Sequence, residues 1–158
     1  MLQEKPGRFL ARANIAVLTW VAAAGEPAAT PVWYRYRDGK FLVHTVHPSA
    51  KTRAIGRNAN VCLCVQDPEP PYRYVTVWGE AKISIGPAAY ALEEELAYHY
   101  LGRLGGRYYL RNVVPKVKGE HAPIEITPAR MSSLDGSEGI NPLALALMRA
   151  LRKVPGLG

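Results

Sequence analysis

A mainly β chain with a few helices is the architecture this sequence predicts: six antiparallel strands closed into a small barrel, with helices at its rim. Three observations predict it. Short apolar runs, several of them β-branched, recur along the chain with Gly, Pro and Asp turn signals between them. Helical spacing of apolar residues is sustained over several turns in only one segment before the last strand. The 158 residues, 48% hydrophobic and 21% charged, suit one domain with a proper core. Closing such a sheet removes the edges that otherwise invite aggregation.

The elements follow in order. Residues 2–13 read as a short helix whose apolar side is Phe9 and Leu10. Ile15 to Ala23 is the first strand, and Gly25-Glu26-Pro27 turns the chain. Ala29 to Tyr36 is the second strand. Arg37-Asp38-Gly39-Lys40 is a hairpin turn, and Phe41 to Val46 returns as the third. Ser49 is an N-cap for a short helix from Ala50 to Arg57. Val61 to Gln66, apolar through Val65, is a fourth strand covered on both faces. After the proline-rich loop DPEPPYR, Tyr74 to Ile85 is a long fifth strand in which Gly79 marks a bend or bulge. A helix runs from Ala88 to Leu101 and ends at Gly102, Gly105 and Gly106. The triplet Glu93-Glu94-Glu95 on it reads as a solvated face. Ala122 to Thr127 is the last strand, with a continuation as far as Met131. The domain boundary falls at residue 135, with residues 136–158 forming a tail that carries a short amphipathic helix.

Cys62 and Cys64 share one face of a strand, a poor spacing for a disulfide, and no second cysteine pair exists to complete a zinc site. They read as buried core thiols, and no metal site is assigned. No apolar run is long enough for a membrane span, and the first residues do not resemble a secretory leader, so the expected location is the cytoplasm.

The formal net charge is +7 and the pI about 9.6. Such a balance points to an anionic partner: nucleic acid, a lipid surface or a phosphorylated small molecule. Position favours the last. In HTVHPSAKTRAIGRN, Lys51, Arg53 and Arg57 stand together without a carboxylate. A helix N-terminus offers unpaired amides and the positive end of its dipole, which together bind anions. Ser49 adds a hydroxyl, Lys51 lies in the first turn, and Thr45 on the preceding strand can point the same way. A phosphate or a carboxylate tail fits. A plain solvated turn is the alternative, against which the missing acids argue. A second cluster, TPVWYRY, places Pro31, Trp33 and Tyr34 beside the strand that feeds this turn. It suits a flat phosphorylated ligand, although by residue type alone Trp33 and Tyr34 read first as packing.

The order of these motifs is itself informative. Ala16-Val17-Leu18-Thr19 is followed by Pro31-Val32-Trp33-Tyr34, the Asp38-Gly39 hairpin, His44-Thr45 and Ser49-Ala50-Lys51-Thr52-Arg53. Asn58-Ala59-Asn60-Val61 and the run from Pro70 to Ala81 complete the series. Over residues 9–131 this resembles the split β-barrel (FMN-binding split barrel) superfamily of flavin and deazaflavin oxidoreductases related to pyridoxamine 5′-phosphate oxidase. It most resembles the branch dependent on the deazaflavin coenzyme F-420. The resemblance implies a homodimer with cofactor at the subunit interface. It implies that Thr45, Ser49, Lys51, Thr52 and Arg53 hold the cofactor phosphate. Pro31, Val32, Trp33 and Tyr34 would lie along the ring system. Arg57 would add a contact to the phosphate or an acidic tail, and Tyr74 would reach across the interface, where flavin-binding relatives often carry glutamine. The tryptophan and arginine pattern of true pyridoxamine phosphate oxidases is not visible after Met131, which argues against vitamin B6 oxidation.

The expected chemistry is hydride transfer to a flat unsaturated or quinone-like small molecule, the cofactor carrying the hard step. Coenzyme F-420 is favoured because its tail carries a phosphate and several carboxylates; FMN is a close second. No catalytic residue is assigned. A rival reading is a non-enzymatic flavin- or haem-binding barrel, with haem on His44, His47, His99 or His121. A further rival is nucleic acid, prompted by Arg103, Arg107, Arg111, Lys116 and Lys118 around Tyr108 and Tyr109. No recognition motif accompanies that stretch, and it can instead line the far wall of the cofactor site.

Overall fold

The computed structural model describes residues 6–151 apart from Pro71 and Pro87. Its elements are α1 (Pro6–Leu10), β1 (Ala16–Val21), β2 (Pro27–Val32), β3 (Tyr34–Arg37), β4 (Lys40–His47) and α2 (Ala50–Arg57). Then come β5 (Asn60–Gln66), β6 (Arg73–Ile83), α3 (Ala88–Asn112), β7 (Glu120–Asp135) and α4 (Pro142–Leu151). The expected helix at the N-terminus is present from Pro6 to Leu10, and residues 2–5 lie outside the described residues.

The strands form one antiparallel sheet in the order β2-β1-β5-β6-β7-β4-β3. Its two edges, β2 and β3, follow one another in the chain with only Trp33 between them. A sheet whose edges are joined by a single residue has to curl until they meet, which gives the curved wall of a split barrel. This corrects the expected strand count: there are seven strands among the described residues, not six. The predicted strand from Ala29 to Tyr36 is divided at Trp33. Up to Val32 it pairs with β1, opposite Ala16; from Tyr34 it pairs with β4, opposite Val43. No local signal marks the switch, because both halves have strand composition.

The turns behave as their chemistry requires. Asp38 and Gly39 both take positive φ (52° and 76°), the primed hairpin geometry that Asp-Gly sequences favour. Between Trp78 and Gly79 the β6–β7 register shifts, and a Cβ at Gly79 would collide with the Thr127 carbonyl, so the bulge requires glycine. Buried residues alternate along β4, β5 and β6. Leu18, Phe41, Val43, Leu63, Val65, Val77, Ile124 and Ile126 are each under 2% exposed and fill the interior.

The long helix differs from expectation. Gly102 (φ 68°, ψ −177°) does interrupt it, but helical structure resumes and continues to Asn112. Gly105 and Gly106 lie within this second segment, where Gly106 packs tightly against Ala97 and Tyr98. The turn at Gly102 folds the second segment back so that Tyr109 meets Trp33. No helix among the described residues is long and apolar enough to cross a membrane.

Candidate functional site

The seam at Trp33 is the structural centre of the site. Where the strand changes partners, the Tyr34 amide has lost its β1 ladder. The Tyr100 hydroxyl, from α3, takes its place: it accepts from Tyr34 N–H at 3.1 Å and donates to the Asn14 carbonyl at 2.8 Å. Trp33 stacks on the Tyr100 ring, 5.0 Å between centroids and 7° between planes, and meets Tyr109 at 5.5 Å. Trp33 is thereby held rigid beside a cleft of about 320 Å³.

Pro31, Val32 and Trp33 form one wall of that cleft, with Lys51, His44, Ile15, Leu96 and Tyr109 around it. Lys51 comes from the first turn of α2. Ser49 caps that helix: its hydroxyl accepts from Thr52 N–H at 3.2 Å, while the Thr52 hydroxyl accepts from Ser49 N–H at 2.8 Å. With the Arg53 amide bonded to the Ser49 carbonyl, the amides of Ala50 and Lys51 are left as the helix's unpaired donors among the described residues. Burial holds the Lys51 ammonium below its usual range, and its Nζ lies 6.0 Å from the Trp20 ring. Among the described residues no carboxylate forms an ion pair with Lys51, Arg53 or Arg57. The uncompensated cationic turn is therefore real, and its best-buried member faces the cleft.

The remaining expected residues are placed differently. Thr52 is 2% exposed and committed to the cap, with His47 Nδ1 at 3.1 Å from its hydroxyl. Thr45 is on the inward face of β4 with Phe41 and Val43, whereas its neighbour His44 points outward to the cleft. The Tyr34 ring packs on Phe41 inside the barrel, and its buried hydroxyl has no hydrogen-bond partner among the described residues. Burial pushes that hydroxyl's pKa well up. Arg53 and Arg57 are exposed on α2, and Tyr74 is exposed on β6. The cleft thus brings together Pro31, Val32, Trp33 and Lys51.

On the far side, Tyr109 lies in the basic stretch that the sequence offered as a far wall, and it does line the cleft. Sequence reasoning missed Tyr100, which no motif singled out. Glu93 contradicts the reading of the Glu93–Glu95 run as solvated. Its side chain is only 5% exposed and sits 2.8 Å from His121 Nδ1. Burial raises the Glu93 carboxyl's pKa, an effect the charge and hydrogen bond of His121 oppose. Glu95 is also engaged, bonding Arg35 at 2.8 Å and Arg37 at 2.9 Å, so only Glu94 is free on the surface. His44 Nε2 lies 3.0 Å from His121 Nδ1. Burial, then the nearby charges of His121 and Lys51, push His44 down to about 4, so it is neutral at physiological pH.

Comparison with known proteins agrees with this architecture. The family model for pyridoxamine 5′-phosphate oxidase matches residues 2–135. The chain belongs to the pyridoxamine 5′-phosphate oxidase family. Among solved structures it is similar to an F-420 reductase at 25% identity, covering 83% of this chain and 98% of that one, with a TM-score of 0.68. A conserved hypothetical protein of Mycobacterium tuberculosis is similar at 21% identity, with 90% and 89% covered and a TM-score of 0.73. An FAD-binding protein of Mesorhizobium loti is similar at 17% identity, with 80% and 88% covered and a TM-score of 0.57. These last two likenesses show the fold alone. No curated protein sequence matches the chain. Family membership and the F-420 reductase likeness support a flavin-type oxidoreductase at the level of the family.

Proposed function

We propose that the protein is a deazaflavin-dependent oxidoreductase that binds coenzyme F-420, with FMN the nearest alternative, and passes hydride to a flat unsaturated or quinone-like small molecule. The observation that carries this reading is Lys51. It is a partly buried cation without an ion-pair partner among the described residues, at the cleft wall formed by Pro31, Val32 and Trp33. A buried unpaired cation is costly, and a bound anion relieves that cost. The free amides of Ala50 and Lys51 and the hydroxyl of Ser49 add donors to it. Exposed Arg53 and Arg57 extend the positive surface along α2, which suits the longer acidic tail of F-420 better than the lone phosphate of FMN. The likeness to an F-420 reductase supports the same choice.

In this reading the bound cofactor supplies the hydride, and the chain binds, orients and shields it. Trp33, rigidly stacked on Tyr100, presents an aromatic wall for a flat ring, and Val32, Ile15 and Leu96 keep that end of the cleft apolar. The cleft is open on one side. A homodimer in which a second copy covers it, with Tyr74 at the interface, is part of the proposal. So are a cytoplasmic location and the assignment of residues 1–135 as the cofactor-binding domain.

The test is a parallel titration of cofactor-stripped protein with F-420 and with FMN. Tighter binding of F-420, followed by turnover of a quinone-like acceptor with the reduced cofactor, is the expected result. Binding of FMN alone would reassign the cofactor, and binding of neither would overturn the reading.

A further inference from the structure

Three side chains from three separate elements converge behind the cleft: His44 from β4, Glu93 from α3 and His121 from β7. His44 Nε2, His121 Nδ1 and Glu93 Oε2 lie 3.0, 2.8 and 3.9 Å from one another. Atoms at those separations share a point about 2.0 Å from each, which is the bond length of zinc to imidazole nitrogen and carboxylate oxygen. The side chains of Glu93 and His121 are 5% and 6% exposed, and that of His44 is 15% exposed. Two imidazoles and a carboxylate form a nitrogen–oxygen donor set used by first-row divalent metals, with positions left open for other ligands. The Tyr90 ring lies 4.7 Å from the His121 ring and helps to fix it.

We propose that His44, Glu93 and His121 form a binding site for one divalent transition-metal ion of the zinc type. Its open coordination position lies on the His44 side, where that residue lines the cleft, and it takes water or an oxygen donor of a molecule bound there. The buried carboxylate supplies negative charge where Lys51 would otherwise repel the ion. The site is independent of which flavin-type cofactor the cleft accepts.

The test uses full-length protein, treated with a chelator and free of cofactor, titrated with Zn²⁺ by calorimetry and with Co²⁺ by visible absorption. One equivalent of Zn²⁺ per chain and the d–d bands of low-coordinate Co²⁺ are expected. Glu93→Gln and His121→Gln should each weaken Zn²⁺ binding at least tenfold. Their folding is checked by circular dichroism. Should either fail to fold, His44→Gln on the accessible side carries the same comparison. Absence of stoichiometric uptake would overturn the proposal and leave the cluster a hydrogen-bonded His–His–Glu network. Uptake unchanged in the folded variants would also overturn it, placing the ion elsewhere. The cofactor titration is read separately, so failure of one reading does not disguise failure of the other.

Discussion

Lys51 and Tyr100 separate the two kinds of work that single residues do here. Lys51 lines the cleft as a cation without an ion-pair partner among the described residues. A charge-assisted hydrogen bond contributes roughly 1.5–3 kcal/mol, so Lys51→Ala should raise the cofactor Kd by about tenfold to a hundredfold with the fold intact. Arg53→Ala should weaken binding only severalfold, because the side chain is exposed and solvent screens it. Fluorescence titration of both variants checks this, and unchanged affinity in both would refute the anion site. Tyr100 is the opposite case. Its hydroxyl satisfies backbone groups at Tyr34 and Asn14 where the sheet changes partners. Tyr100→Phe keeps the ring stacked on Trp33 but orphans both groups. A loss of about 1–3 kcal/mol is expected by denaturant unfolding.

Among the elements, α2 shows how a short helix is made to serve a site. Eight residues are too few for independent helix stability. The reciprocal Ser49–Thr52 capping box and the burial of Thr52, Ala54 and Ile55 hold it in place. Ser49→Ala removes the hydroxyl that accepts the Thr52 amide, and should cost about 1 kcal/mol of stability in urea unfolding. It should also loosen the first turn and reduce cofactor affinity, whereas a surface Ser→Ala change elsewhere would leave affinity unchanged. Helix α3 serves the site differently. Its break at Gly102 gives one element two directions, so that Tyr100 and Tyr109, from either side of the break, both reach Trp33.

For the whole molecule, the distribution of apolar surface is the relevant quantity. Tyr74, Met131 and Leu134 are exposed on β6 and β7, and Leu143, Leu147, Met148 and Leu151 on α4. Exposed apolar surface on this scale marks interaction sites, and the proposed homodimer gives it an occupant. Leu147→Glu should shift the sedimentation behaviour from dimer towards monomer. If the partner covers the cleft, cofactor affinity should fall in the same variant. A monomeric wild-type protein would remove the dimer from the proposal while leaving the Lys51 site testable.

The sequence by itself determined those features whose physical cause is local. The Asp38-Gly39 turn, the Ser49 cap and the bulge glycine at position 79 each follow from a few neighbouring residues. The acid-free turn around Lys51 was legible for the same reason, since a missing charge is as visible as a present one. Only the tertiary structure decided the rest. The division of one expected strand at Trp33 depends on which partners β1 and β4 become, and both halves have equal strand character. Thr45 appeared a better site residue than His44 until the barrel determined which face of β4 turns inward. Glu93 looked like one of three solvated acids until α3 packed against the sheet. It then lay beside His121, itself remote in the chain from His44. Contacts between residues distant in sequence leave no spacing to read, so clusters of this kind emerge only when the chain has closed around them.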